Sequence, residues 1–182
     1  MLRIDLRESL CQSTVDAQLL SSFQRILLTT DGTVTDILEA HLWEAMRIVK
    51  LYQDCIETDA SVPYLDIGPH APVLVRKIIL RGESSERNYI YAGSIIALDR
   101  LDDRIRLGLI ETQKPVGQLM LEARLETFRE ILSCCYEPAE EIGECLGVSP
   151  AARLISRTYR VFANRQPFML ITEKFPETAF TD

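Results

Sequence analysis

Arg76 interrupts an apolar run, between Val73-Leu74-Val75 and Ile78-Ile79-Leu80. Alternation along a strand puts Arg76 with Leu74 and Ile78 on one face, and Val75, Lys77 and Ile79 on the other. Both faces are otherwise largely apolar, so one of these cations is expected in a concave, partly dry place. A guanidinium there grips a planar carboxylate through two parallel hydrogen bonds. The competing reading is an edge-strand arginine that reaches water or pairs with a structural glutamate. Glu173 poses the complementary question, because it follows Met169-Leu170-Ile171-Thr172 and precedes Lys174-Phe175. A carboxyl group held against an apolar surface tends towards a raised pKa and can exchange a proton near neutrality. Its competing readings are a solvated strand glutamate, or one paired across the sheet with an arginine or lysine.

Other candidates point to bland roles. Arg157 and Arg160 lie three apart on an expected strand and so face opposite sides; at most one can share a pocket, and an exposed or cross-strand ion pair is the simplest role for each. The hydroxyl-rich stretch Thr29-Thr30-Asp31-Gly32-Thr33-Val34-Thr35 is explained by turn formation and capping. The chain has two histidines, His41 and His70, and neither has a partner at ligand spacing. There is no G-x-G-x-x-G, phosphate-binding P-loop, H-E-x-x-H or G-x-S-x-G. No metal site is therefore expected, and the chemistry falls to carboxylates, arginines and shape.

The elements that must position these residues can be read from the periodicity. Val15 to Thr29 places Leu19, Leu20, Phe23, Ile26 and Leu27 on one helical stripe. Asp31-Gly32 makes a turn, and Thr33 or Thr35 is expected to cap a short helix through Asp36, Ile37 and Leu38. A β-compatible run extends from Ala45 to Ile56. Val73 to Leu80 and Asn88 to Leu98 form the clearest hairpin, around a turn at Arg81 to Arg87. Asp99 to Leu109 reads as helix, and Pro115 opens another helix through Met120. Leu125 to Tyr136 satisfies both periods, and strand is preferred. Ala139 to Leu146 is a short helix stopped by Gly147, and Arg153 to Phe162 and Phe168 to Phe175 are two final strands. Hairpins with helices between them predict an α+β fold with an antiparallel sheet.

At 182 residues, against roughly 150 per domain, one domain covering residues 1–182 is expected. Twenty basic residues oppose 27 acidic ones, a net charge of −7. That balance lacks the footprint expected for nucleic acid or an anionic membrane. Met1 to Glu8 is too charged for a secretory signal, and no stretch of about 18 apolar residues would span a membrane. Five scattered cysteines, Cys11, Cys55, Cys134, Cys135 and Cys145, give no zinc or C-x-x-C pattern and suit a reducing, cytoplasmic setting.

Six ordered blocks resemble the chorismate pyruvate-lyases. They are LLTTDGTVTDILEA at Leu27 to Ala40, VRKIILRG at Val75 to Gly82, AGSIIALDRL at Ala92 to Leu101, PVGQLM at Pro115 to Met120, ETFREI at Glu126 to Ile131, and SRTYRVFANRQPFMLITEKFP at Ser156 to Pro176. The resemblance implies one α+β domain whose antiparallel sheet is covered by helices enclosing a ligand cavity. It implies removal of pyruvate from chorismate to leave 4-hydroxybenzoate, with no metal and no organic cofactor. The product would serve quinone biosynthesis or another aromatic pathway, depending on the host. Carried over by motif, Arg76 would grip the ring carboxylate, and Glu173 would lie at the other end of the ring, where the ether oxygen leaves and the phenol forms. Val34 would line the ring pocket, where some members have methionine, and Val116, beside Gly117, would contact the ligand through its backbone.

Glu137 to Pro176 also resembles the effector-binding domain of bacterial transcription regulators, which share this fold, bind a small anion and catalyse nothing. Such domains normally follow a DNA-binding winged helix, for which residues 1–25 offer no basic recognition helix.

Overall fold

A computed structural model describes residues 14–112 and 114–181. The readings placed on Met1 to Glu8 and on Cys11 lie outside the described residues. Six strands form one antiparallel sheet: β1 (Met46–Glu57), β2 (Pro72–Gly82), β3 (Asn88–Ala97), β4 (Thr127–Pro138), β5 (Arg153–Ala163) and β6 (Gln166–Pro176). Their spatial order is β1-β2-β3-β6-β5-β4. Two three-stranded meanders therefore meet at the β3–β6 pair. The helices are α1 (Ser22–Thr29), α2 (Val34–Leu42), α3 (Asp103–Glu111), α4 (Val116–Glu122) and α5 (Ile142–Leu146). This is the α+β architecture expected from hairpins separated by helices.

Local chemistry sets the boundaries. The long stripe expected from Val15 is corrected to the eight-residue α1. Ser21 Oγ accepts from the Gln24 amide while the Gln24 side chain accepts from the Ser21 amide, a reciprocal capping box that starts the helix at Ser22. Leu19 is consequently outside the helix and 77% exposed, and Ile26 also faces solvent. Thr33 stands at the N-cap of α2, but its side chain makes no capping bond, against expectation. The β5–β6 hairpin closes through Asn164 and Arg165, both at positive φ, the conformation that a two-residue turn between twisted strands requires. β4 forms where the sequence satisfied both periods. Its burial against β5 places Cys134 fully inside, and sheet packing overrides the helical pattern of Phe128, Ile131 and Leu132.

Register defines which side chains meet. One row across the helix-covered face reads Lys50, Ile78, Ala92, Glu173, Arg157, Cys134. The next reads Gln53, Arg76, Ser94, Ile171, Tyr159, Ile131. Two apolar clusters pack on this face. One gathers Phe23, Leu27, Leu28, Leu38, Leu80 and Phe175 under α1 and α2. The other gathers Ile105, Leu109, Leu119, Met120, Val161 and Met169 under α3 and α4. A smaller cluster, with Ile79, Leu146 and Leu154, joins the opposite face to α5.

Candidate active site

A cavity opens where the two apolar clusters meet. Its walls include Ile48, Ile78 and Leu80 from one side and Met120, Met169 and Ile171 from the other. Its volume is about 90 Å³, against roughly 300–1,000 Å³ for sites that take drug-sized ligands. Arg76, Glu173, Val34 and Val116 all line the cavity, so the structure brings the four sequence-derived residues to one place. Arg76 and Glu173 sit two strands and one row apart. With strand spacing near 4.8 Å and two residues of rise, their backbones are about 12 Å apart, and both side chains project to the same face.

Arg76 is 2% exposed. Among the described residues its side chain makes one long hydrogen bond, from Nη2 to the Lys114 carbonyl at 3.4 Å, and buried Nε and Nη1 have no partner. No Asp or Glu among the described residues forms an ion pair with it. Burial pushes its guanidinium below the ordinary arginine range. A buried cation with free donors is costly to keep, and a planar anion would satisfy it. Gln53, the cross-strand partner of Arg76, is occupied with the end of α3 through Nε2, at 3.2 Å to the Leu109 carbonyl and 3.3 Å to that of Ile110. Lys50 is close enough that burial and the charge of Arg76 together lower its ammonium from the ordinary lysine value.

Glu173 follows the competing sequence reading of a glutamate paired across the sheet with an arginine. Oε2 accepts from Arg157 Nη2 at 2.8 Å, and Oε1 accepts from the Tyr159 hydroxyl at 3.0 Å. Arg157 is 1% exposed and spends Nη1 on the Thr30 carbonyl at 2.8 Å. Burial opposes its charge, but the facing Glu173 and Tyr159 outweigh that and hold the guanidinium above its usual range. Burial first, and then the Glu173 charge, raise the Tyr159 hydroxyl well above the ordinary tyrosine value, so it remains a donor. Sequence reasoning assigned Arg157 only a bland ion pair and did not single out Tyr159. The signal was the alternation that puts Arg157, Tyr159 and Val161 on the face opposite Arg160. Arg160 indeed points elsewhere and pairs with Glu130.

Two helix starts complete the wall. Gly32 to Thr35, and Pro115 to Gly117, line the cavity at the first turns of α2 and α4. With no side-chain cap at Thr33, the leading amides of α2 keep their positive end at the site. The two starts touch: a Cβ on Gly117 would come within 2.9 Å of Thr33 Cγ2. Among the described residues, no three His, Cys, Asp or Glu side chains cluster as a metal site would. No helix among them is long and apolar enough to cross a membrane.

A family model described as Rv2949c-like chorismate pyruvate-lyase matches residues 28–181. The chain belongs to this family. A chorismate pyruvate-lyase of Mycobacterium tuberculosis is 30% identical over 169 residues, covering 87% of this chain and 81% of that protein. One from Mycobacterium leprae is 28% identical over the same length, covering 76% of its own chain. Among solved structures, the effector domain of PhnF from Mycobacterium smegmatis superposes with a TM-score of 0.65 at 12% identity, covering 82% of this chain and 91% of that one. The C-terminal domain of a histidine utilization repressor from Pseudomonas syringae gives 0.57 at 13% identity, covering 75% and 95%. These two likenesses concern the fold alone. The matched range includes Val34, Arg76, Val116 and Glu173.

Proposed function

We propose that this family member is a lyase that converts chorismate to 4-hydroxybenzoate and pyruvate. The observation that carries the reading is the buried guanidinium of Arg76, without a carboxylate partner among the described residues, on the same small cavity as the ion-paired carboxylate of Glu173. Arg76 takes the ring carboxylate through an edge of its guanidinium, Nη2 leaving its long bond to Lys114 to join a free neighbour in a charge-assisted bidentate contact. The start of α2 at Val34 adds the positive end of a helix beside that grip, and Val116 lines the ring pocket. Apolar walls hold the ring flat between them.

Elimination breaks the bond between ring C3 and the ether oxygen and removes the proton on C4. Glu173, kept as a paired acceptor by Arg157 and Tyr159, takes that proton and passes it to the departing enolpyruvyl oxygen. The enol ketonises to pyruvate, and the ring becomes aromatic. Atoms balance without a redox step. Aromatisation supplies the driving force, so the protein contributes orientation and charge stabilisation.

The test is direct: purified protein with chorismate yields 4-hydroxybenzoate and pyruvate in equal amounts, read by ultraviolet absorbance and a coupled pyruvate assay. A second reading, a non-catalytic anion receptor, is favoured by the likeness to regulator effector domains. Binding of 4-hydroxybenzoate with no turnover of chorismate would establish it instead.

A further inference from the structure

We propose that Arg129 is the second anion-binding residue of the cavity and receives the ether-linked carboxylate of a dicarboxylate substrate. The proposal rests on the lyase reading, in which the substrate carries two carboxylates and Arg76 accounts for one.

Three arginines, Arg76, Arg129 and Arg157, reach this face of the sheet while Arg160 lies on the other, and their pairing separates them. Arg157 is spent on Glu173 and Arg160 on Glu130. Arg76 and Arg129 have no carboxylate partner among the described residues, and both line the cavity. Arg129 is half-buried on β4, opposite the fully buried Val161 of β5, so its side chain emerges on the helix-covered face. Its one hydrogen bond among the described residues runs from Nη1 to the Asp31 carbonyl, which leaves most of the fork free. Its charge reaches the Glu173 end, where it is felt by the Tyr159 hydroxyl.

The placement matches a two-anion substrate. Glu173 stands on β6, two strands from β2 with Arg76 and two strands from β4 with Arg129. The unpaired cations thus approach the cavity from opposite flanks, with the proton acceptor between them. A ring anchored by its C1 carboxylate on Arg76 and turned with C4 towards Glu173 directs a C3 substituent to one flank. Its carboxylate needs a counter-charge there, because the remaining wall is largely apolar. Lys50 is less suited: it lies on β1, beyond Arg76, and does not line the cavity.

Arg129 could instead serve only to pin the Asp31 loop, and the experiment separates the roles. The full chain is compared with its Arg129→Gln and Arg129→Lys variants by calorimetry, using 3-(carboxymethoxy)benzoate and benzoate as probes that do not turn over. If Arg129 holds the second carboxylate, Arg129→Gln weakens the dicarboxylate by about 10–100-fold, as for loss of a charged hydrogen bond. Benzoate affinity then changes by less than about twofold, which also shows the cavity intact, and Arg129→Lys restores much of the loss. The same selective loss is expected in KM for chorismate, with 4-hydroxybenzoate affinity retained. Equal weakening of both probes, or of neither, overturns the proposal. If the parent binds the dicarboxylate through Arg129 but does not convert chorismate, the lyase reading fails while the anion site stands.

Discussion

Arg157 and Glu173 are direct cross-strand partners at the centre of the sheet, joined by a 2.8 Å ion pair that is almost wholly buried. The pair does more than link β5 to β6. Through Nη1, Arg157 also reaches the Thr30 carbonyl on the loop before α2, so one guanidinium fixes both the carboxylate and the loop that leads to Val34. Removing the cation would leave a buried carboxylate uncompensated. We expect Arg157→Ala to lose about 3–5 kcal/mol of stability, measured by urea denaturation. Replacing both partners, as Arg157→Met with Glu173→Leu, should recover most of that stability while abolishing turnover.

Arg76 should show the opposite sign. Its buried guanidinium has two nitrogens without partners among the described residues, an arrangement that costs stability in the absence of ligand. Arg76→Met keeps the bulk and removes the charge. We expect it to raise stability by about 1–3 kcal/mol and to lower kcat/KM for chorismate by about 10²–10⁴-fold. Adding 4-hydroxybenzoate should raise the Tm of the parent and not that of the variant. A variant less stable than the parent would show that the guanidinium is satisfied in solution by something other than ligand.

Tyr159 tests the second donor on Glu173. Its hydroxyl serves Oε1 at 3.0 Å, and burial together with the Glu173 charge keeps it protonated. Tyr159→Phe leaves that oxygen without its donor, at an expected stability cost of about 1–3 kcal/mol. Because the donor orients the proton acceptor, kcat should fall about tenfold or more while the affinity for 4-hydroxybenzoate stays within severalfold.

How much of this was legible in the residues depended on whether the answer was local. The hairpin of β2 and β3 was readable because Val73 to Leu80 and Asn88 to Leu98 carry β-branched runs around a polar turn. Arg76 stood out because a cation inside such a run needs a reason. Arg157 did not, since its partner lies 16 positions further on and only the sheet register brings them together. Tyr159 was passed over for the same reason. The start of α1 was misplaced because the apolar stripe from Val15 continues past a capping box whose Gln24, rather than the usual Glu, closes it. Arg129 lay within a family-like block without a role, because its lack of a carboxylate is a fact of three dimensions.

The contact of the two helix starts makes Gly117 a sensitive position. A Cβ there would meet Thr33 Cγ2 at 2.9 Å, closer than side chains tolerate, and Oγ1 at a tight 3.3 Å. Gly117→Ala should therefore push the start of α4 away from that of α2, with a cost of about 1–3 kcal/mol and weaker binding of 4-hydroxybenzoate. Thr33→Ser removes the Cγ2 atom in the way. The double variant should regain most of both losses, and a double variant no better than Gly117→Ala alone would place the strain elsewhere.

Cys134 offers a test at alkaline pH. Its side chain is fully buried beside Arg157. Burial raises the thiol to about 11 from an ordinary 9.0, with the Arg157 charge opposing the shift. Folding therefore favours the protonated thiol. That contribution is complete below pH 9, where the unfolded thiol is also protonated. It declines as pH rises towards 11, because the unfolded chain sheds its proton while the folded chain keeps it. Over that window the loss is on the order of 2–3 kcal/mol. Cys134→Ala lacks this titration. We expect it to be less stable than the parent at pH 8, by about 1 kcal/mol for the lost packing, and to overtake it as pH approaches 11. Parallel stability profiles of parent and variant across pH 8–11, from urea denaturation, would mean that the thiol ionises as readily inside the fold as outside it.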